Sequence, residues 1–128
     1  MIILLDTSTP VCKLTMVNGD TQFTDEWQAD RTLAKGLLAY LRDQLAAHGW
    51  TFSDITGIGV FKGPGSFTGL RIGLTVVNTM AESNRIPIVG TTGDRWRGDA
   101  LAALGDGKND RIVMPLYGND ANITTPRK

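Results

Sequence analysis

Two short clusters hold the residues best placed to do chemistry. One is Asp6-Thr7-Ser8, a carboxylate followed by two hydroxyls. The other is Gly63-Pro64-Gly65-Ser66-Phe67-Thr68-Gly69-Leu70-Arg71-Ile72-Gly73. In the second, Gly63 and Gly65 admit backbone angles that side chains forbid, and Pro64 fixes φ between them. Ser66 or Thr68 can cap a following helix by accepting a bond from an early backbone N–H. Such a turn aims free N–H groups and a positive dipole end at whatever lies above it, often an anion. It is not a Walker A loop, because no lysine follows Gly69 to reach outer phosphates. Two readings therefore stand for this corner: a phosphate cradle, or a tight structural turn that starts a helix. For Asp6 the plain alternative is a strand-end turn, its carboxylate bonded to nearby backbone N–H groups.

Alternating strand and helix signals position both clusters. Residues 2–5 are a continuous apolar run, as in a central strand covered on both faces. Residues 11–17 alternate in part, Asn18-Gly19-Asp20 signals a hairpin, and residues 21–27 return as an antiparallel strand. A helix is expected over residues 30–48, with Leu33, Leu37, Leu38, Leu41 and Leu45 as its apolar stripe, Gly49 as its stop and Trp50 folding back onto Leu45. A strand over 55–61 leads into the glycine corner, and a helix over 66–84 leaves it. A short strand over 87–89, a helix over 94–104 and a last strand over 111–116 follow. Residues 118–128 read as a polar tail.

The second helix is apolar around most of its circumference, through Phe67, Leu70, Ile72, Leu74, Val76, Val77, Met80 and Ala81. Its polar positions are few, whereas a helix at the edge of a small lobe should be amphipathic. Gly69 and Gly73, four residues apart, would leave a flat strip for another helix. Either both sides are covered within the lobe, or an apolar patch awaits a partner.

Composition bounds the function. At 128 residues with 41% apolar content the chain is one domain with room for a core. Thirteen basic residues balance thirteen acidic ones, and no segment carries the basic footprint of a direct nucleic-acid binder. One cysteine, Cys12, excludes an internal disulfide and fits a reducing compartment. Cys12 and the single histidine, His48, cannot build a usual transition-metal site, so no metal is expected. There is no H-E-x-x-H and no nucleophile with a histidine base, which leaves a peptidase reading without support. No apolar run approaches the ~20 residues of a membrane span, and no basic region precedes the first apolar run, so neither a membrane segment nor a signal peptide is expected.

The string GPGSFTGLRIG closely resembles the hallmark of the TsaB family, the bacterial subunit paired with TsaD in making threonylcarbamoyladenosine on tRNA. Ile2-Ile3-Leu4-Leu5-Asp6-Thr7-Ser8-Thr9, Asp54-Ile55 and Ile86-Pro87-Ile88-Val89-Gly90 extend the resemblance over roughly the first three quarters of the chain. It implies an α/β fold: a single ribonuclease-H-like or actin-like ATPase lobe with a mixed sheet, residues 1–117, the usual second lobe being absent. It implies a cytoplasmic, non-catalytic scaffold whose first two helices pair with those of a TsaD-like protein as a helix bundle. The partner then transfers the threonylcarbamoyl group to tRNA, which the scaffold meets only indirectly. A TsaE-like ATPase can join the same complex, and a homodimer is expected of the chain alone. The expected interface residues are Gly69, Gly73, Val76, Val77 and Met80, with Leu38 and Arg42 beside them. On this reading a bulky residue at Gly73 blocks close helix approach while the lobe stays folded. Arg31 stands where the family often has a histidine.

The second reading belongs to another class: a small nucleotide-binding or phosphotransfer protein of the actin-like superfamily. In that superfamily an aspartate after the first strand helps hold a magnesium-bound nucleotide. Here Asp6, Thr7, Ser8, Gly63, Gly65 and Ser66 would serve. No intrinsic cofactor is expected on the first reading, and ATP or ADP with magnesium would bind at a complex interface.

Overall fold

The computed structural model describes residues 1–117; the expected tail, 118–128, lies outside them. Five strands form one mixed sheet: β1 (Ile2–Asp6), β2 (Val11–Asn18), β3 (Thr21–Gln28), β4 (Gly57–Phe61) and β5 (Ile88–Thr91). Their order is β3-β2-β1-β4-β5. The first three pair antiparallel, whereas β1–β4 and β4–β5 are parallel. This is the expected α/β lobe, with a three-strand meander followed by helix–strand crossovers. The tight link between β2 and β3 uses Gly19 at φ +62°, the first of two loop residues, as a II′-type hairpin requires.

Three helices cover the sheet. α1 (Leu33–Ala47) and α2 (Phe67–Asn84) pack on one face, where Ile3, Leu5, Cys12, Leu14, Met16, Ile58, Val60 and Ile88 form the main core with them. α3 (Trp96–Gly105) covers the other face through Trp96 and Ala100 against Leu4, Val17 and Val89. Leu33, Leu37, Leu41 and Leu45 are the buried stripe of α1; Leu38, expected with them, is 54% exposed and stands outside it. The end of α1 is a Schellman motif. The Trp50 N–H donates to the Leu45 carbonyl at 2.9 Å and the Gly49 N–H to that of Ala46 at 3.0 Å, with Gly49 at φ +81°.

Several expected boundaries shift for local reasons. The first helix does not begin at Asp30: residues Asp30–Thr32 form a 3₁₀ turn, and Asp30 itself has φ +48°. The N–H groups of both Ala29 and Asp30 donate to the Pro10 carbonyl, which pins the entry in a non-α conformation. The strand expected from residue 55 begins at Gly57, because Phe52–Asp54 make a 3₁₀ turn closed by a Thr51–Asp54 capping box.

The strand expected over 111–116 is absent. A mixed set of bonds replaces a sixth strand: Asn109 Oδ1 accepts from the Ile88 N–H at 3.1 Å, Asp110 Oδ2 from that of Gly90 at 2.9 Å, and the Asp110 N–H donates to the Ile88 carbonyl at 2.8 Å. Beyond them, the Asn78 side chain of α2 grips Val113 at both backbone groups. Its Nδ2–H donates to the carbonyl at 3.0 Å and its Oδ1 accepts from the N–H at 2.9 Å. The segment is therefore a strap tied to α2 and the β5 edge, with Val113 buried and Met114 exposed.

Candidate functional site

Asp6, Thr7, Ser8, Gly63, Gly65 and Ser66 converge where β1 ends and α2 begins. Ser66 is the α2 N-cap, accepting from the Gly69 N–H at 3.3 Å, so it and not Thr68 caps the helix. The Ser66 N–H donates to the Ser8 carbonyl at 2.8 Å, which joins the two clusters directly. Asp6 Oδ1 accepts from the Ser8 N–H at 2.8 Å and from the Ser8 hydroxyl at 2.6 Å. The buried Thr7 hydroxyl donates to the Gly69 carbonyl at 2.7 Å. Asp6, Thr7, Ser8 and Ser66 thus spend side-chain polar groups on one another or on the helix start. That is the arrangement of a structural joint.

The glycines of the string serve the same joint. A Cβ on Gly65 would meet Ser8 at its Cβ and carbonyl oxygen, one on Gly69 the Thr7 carbonyl oxygen, and one on Gly73 the Thr7 side chain. This corrects the expectation that Gly69 and Gly73 present a flat strip to a partner. They face inward, because α2 crosses the end of β1 too closely for any side chain there. Val77 is likewise fully buried and points into the core. A bulky residue at Gly73 would therefore strike Thr7 inside the lobe, so the expectation that only partner binding suffers does not hold.

The outward side of the helix pair is a groove along the α1–α2 seam. Leu38, Val76 and Met80 line a cavity of about 340 Å³ together with Phe52, Thr75 and Thr79. The groove continues past Ala34, Thr68 and Ile72 to an open cavity of about 620 Å³ near Arg31 and Ser66. Leu38 and Val76 are thus at the groove as expected, and Met80 reaches it although only 8% exposed. Arg42 does not line it and pairs with Asp43 at 3.0 Å. Sequence reasoning considered Thr68 only as a helix cap and passed over Thr75 and Thr79, although spacings of seven and four residues put all three on one helix stripe. Thr79 satisfies its own hydroxyl by donating to the Thr75 carbonyl at 2.8 Å, leaving a small, low-polarity ridge.

Two reactive groups are structural. Cys12 is buried, and its thiol is pushed from 9.0 up to about 12, chiefly by desolvation and then by Asp6 and Asp25. Tyr40 lies against Trp27, ring centroids 4.9 Å apart, and donates to Asp25 at 2.6 Å. Burial first, and that bond second, hold its hydroxyl far above the usual phenol range. Tyr40 therefore faces β3. Among the described residues no group of three His, Cys, Asp or Glu side chains is placed to hold a metal. No helix among them is long and apolar enough to cross a membrane.

The three-strand meander, the parallel strands added beside β1 and the helix pair on one face make this a lobe of the actin-like, ribonuclease-H-like class. The family model for TsaD, tRNA N6-adenosine threonylcarbamoyltransferase, matches residues 27–92, half of the chain. A protein of Escherichia coli K12 named tRNA threonylcarbamoyladenosine biosynthesis protein TsaB is 30% identical over 131 residues, covering 94% of this chain and 56% of that protein. Its Bacillus subtilis namesake is 57% identical over 64 residues, which is 50% of this chain and 26% of that protein. The solved structure described as YeaZ from Pseudomonas aeruginosa superposes with a TM-score of 0.68 at 28% identity, covering 83% of this chain and 49% of that one. The chain belongs to the TsaB family, and it spans about half the length, or less, of the curated relatives it matches.

Proposed function

We propose that the chain acts in tRNA threonylcarbamoyladenosine biosynthesis as a non-catalytic scaffold, docking onto a TsaD-like partner through the α1–α2 groove. The observation that carries this is the groove itself, in which Leu38, Val76 and Met80 offer an apolar floor beside a ridge of small threonines. A soluble lobe keeps such a floor uncovered at a cost that a partner helix removes. The names of the relatives supply the pathway, and the matching TsaD-type family model supplies the kind of partner. The engaged side chains at the glycine corner favour scaffolding over catalysis, since Asp6, Thr7, Ser8 and Ser66 are already bonded within the lobe. Nucleotide with magnesium, a TsaE-like ATPase and tRNA would then meet the complex through the partner, in the cytoplasm, and the same groove would pair two copies when the partner is missing.

The test is size-exclusion chromatography with light scattering, on the chain alone and mixed with the TsaD-like protein of the same organism. The mixture should give a stable heteromeric species. Leu38→Glu, at an exposed position, should weaken that species at least ~10-fold by burying a charge against apolar atoms. A correctly folded Leu38→Glu chain that binds as the parent does would remove the groove from the interface.

A further inference from the structure

The α1–α2 face carries a charge pattern that works against its own helices. The two helices run parallel: the starts of both line one cavity with Arg31, Leu33, Ser66 and Gly69, while Leu38 and Met80 meet further along. Parallel helices put both positive dipole ends together. Acidic residues would normally offset them, yet neither helix has one in its first turn, and neither has a basic residue in its last. Three exposed cations stand at that end instead: Arg31, Lys35 and Arg71. Among the described residues none of the three makes an ion pair; the ion pairs found are Arg42–Asp43 and Lys108–Asp110. Arg71 lies with its guanidinium 5.3 Å from the Phe67 ring centroid, turned toward the start of α2. Two carboxylates belong to that end and both are bonded within the lobe: Asp30, which accepts from the Gln28 side chain at 3.0 Å, and Asp6, which accepts from the Ser8 N–H and hydroxyl. The opposite end of α2 carries Glu82 and, at its C-cap, Arg85.

We infer that this end of the groove selects its partner by charge: the occupant is a protein helix face bearing carboxylates where it meets Arg31, Lys35 and Arg71. This rests on the docking role proposed above and adds the chemistry of the surface that docks. Arg31 and Arg71 line the cavities that continue the seam of Leu38 and Val76, and Lys35 is exposed in the first turn of α1 beside them, so a partner that fills the apolar floor and extends to this end meets them. Complementary charge fixes the register of such a contact and speeds its formation more than it adds affinity. A helix face is favoured over a free phosphate compound because the groove is elongated and its floor apolar.

The experiment is a titration of the full chain with the same organism's TsaD-like protein, at about 50 and about 500 mM sodium chloride, where the screening length falls several-fold. Parent chain, Arg71→Glu, Lys35→Glu and the neutral Arg71→Gln are compared, with melting curves to confirm folding. The expected result is a clear loss of affinity with salt for the parent chain. Each reversal should weaken binding ~10-fold at low salt and flatten the salt dependence, and Arg71→Gln should fall between. Binding that persists with no response to salt or reversal overturns the charge inference and leaves the docking role standing. Tighter binding by the reversals means a basic partner face and overturns it too. No binding by the parent chain at either salt overturns both. Saturable binding of Mg·ATP to the chain alone, lost in Arg71→Glu, would assign the cations to a phosphate ligand and overturn the inference in that direction.

Discussion

Replacing Gly73 by alanine tests the joint between β1 and α2 with the smallest possible change. The new Cβ would lie 2.9 Å from Thr7 Cγ2, 3.0 Å from Thr7 Cβ and closer still to Thr7 Oγ1. These are atoms of a buried side chain whose hydroxyl is already bonded to the Gly69 carbonyl at 2.7 Å. Overpacking of this kind costs about 1–3 kcal/mol. Displacing the Thr7 hydroxyl adds ~1 kcal/mol for the lost bond. Alanine returns about 1 kcal/mol of helix propensity. The net loss is about 2 kcal/mol, which lowers the melting temperature of a lobe this size by about 5–10 °C. The assay is urea and thermal unfolding of the parent, Gly73→Ala, Thr7→Ala and the double variant. Thr7→Ala removes both Oγ1 and Cγ2, so the double variant should recover about 1–2 kcal/mol relative to the sum of the single effects. A Gly73→Ala chain as stable as the parent, or strict additivity in the cycle, would refute the close-approach argument.

Gly98 in α3 is the contrasting case, since a Cβ there meets nothing within 4 Å; Gly98→Ala should stabilise by about 0.5–1 kcal/mol in the same unfolding assay. Cys12 gives a pH signature: its thiol is held from 9.0 up to about 12 in the fold, so above pH 9 the unfolded chain sheds a proton that the native chain keeps. Stability should then fall as pH rises from 9 toward 12, and the fall should be shallower in Cys12→Ala, read from urea midpoints across that range. Asn78→Ala should free the strap; amide exchange at Val113 should accelerate at least ~10-fold while the α1 core amides keep their protection. Unchanged exchange at Val113 would show that packing of its side chain, and not the Asn78 amide, holds the strap.

Much of this lobe is legible in the chain because its signals are local. The Asn18-Gly19-Asp20 hairpin, the Leu33-Leu37-Leu41-Leu45 stripe and the Gly49 stop each need only a few neighbouring residues to be read. The strand expected over 111–116 shows the limit. Ile112, Val113 and Met114 have strand-like side chains, but the positions beside β5 are taken by Asn109 and Asp110, through both side chains and the Asp110 N–H. Whether backbone or side chain pairs with an edge strand is a matter of three-dimensional placement. The second helix shows the limit for function. Its apolar breadth leaves open whether the lobe covers it on all sides, and which apolar residues stay outward depends on where α2 crosses the sheet. Crossing over Thr7 turns Gly69, Gly73 and Val77 inward, and leaves Val76 and the edge of Met80 outward.

The glycines of the string have a structural use at this corner. Gly65, Gly69 and Gly73 let α2 lie directly on Ser8 and Thr7, and Ser66 fixes its first turn. The Thr7 hydroxyl and the Ser8 carbonyl then lock the helix to the end of the central strand. Because α2 supplies Val76, Met80 and the threonine ridge, the angle set at this corner fixes how the groove is presented beside α1. A side chain at Gly69 or Gly73 would lift α2 off β1 and turn the ridge away from Leu38, without touching any residue of the groove. In the docking role proposed above, the string that looks most like a phosphate cradle would serve as the hinge plate of the groove, its glycines acting on a partner through the pose of one helix.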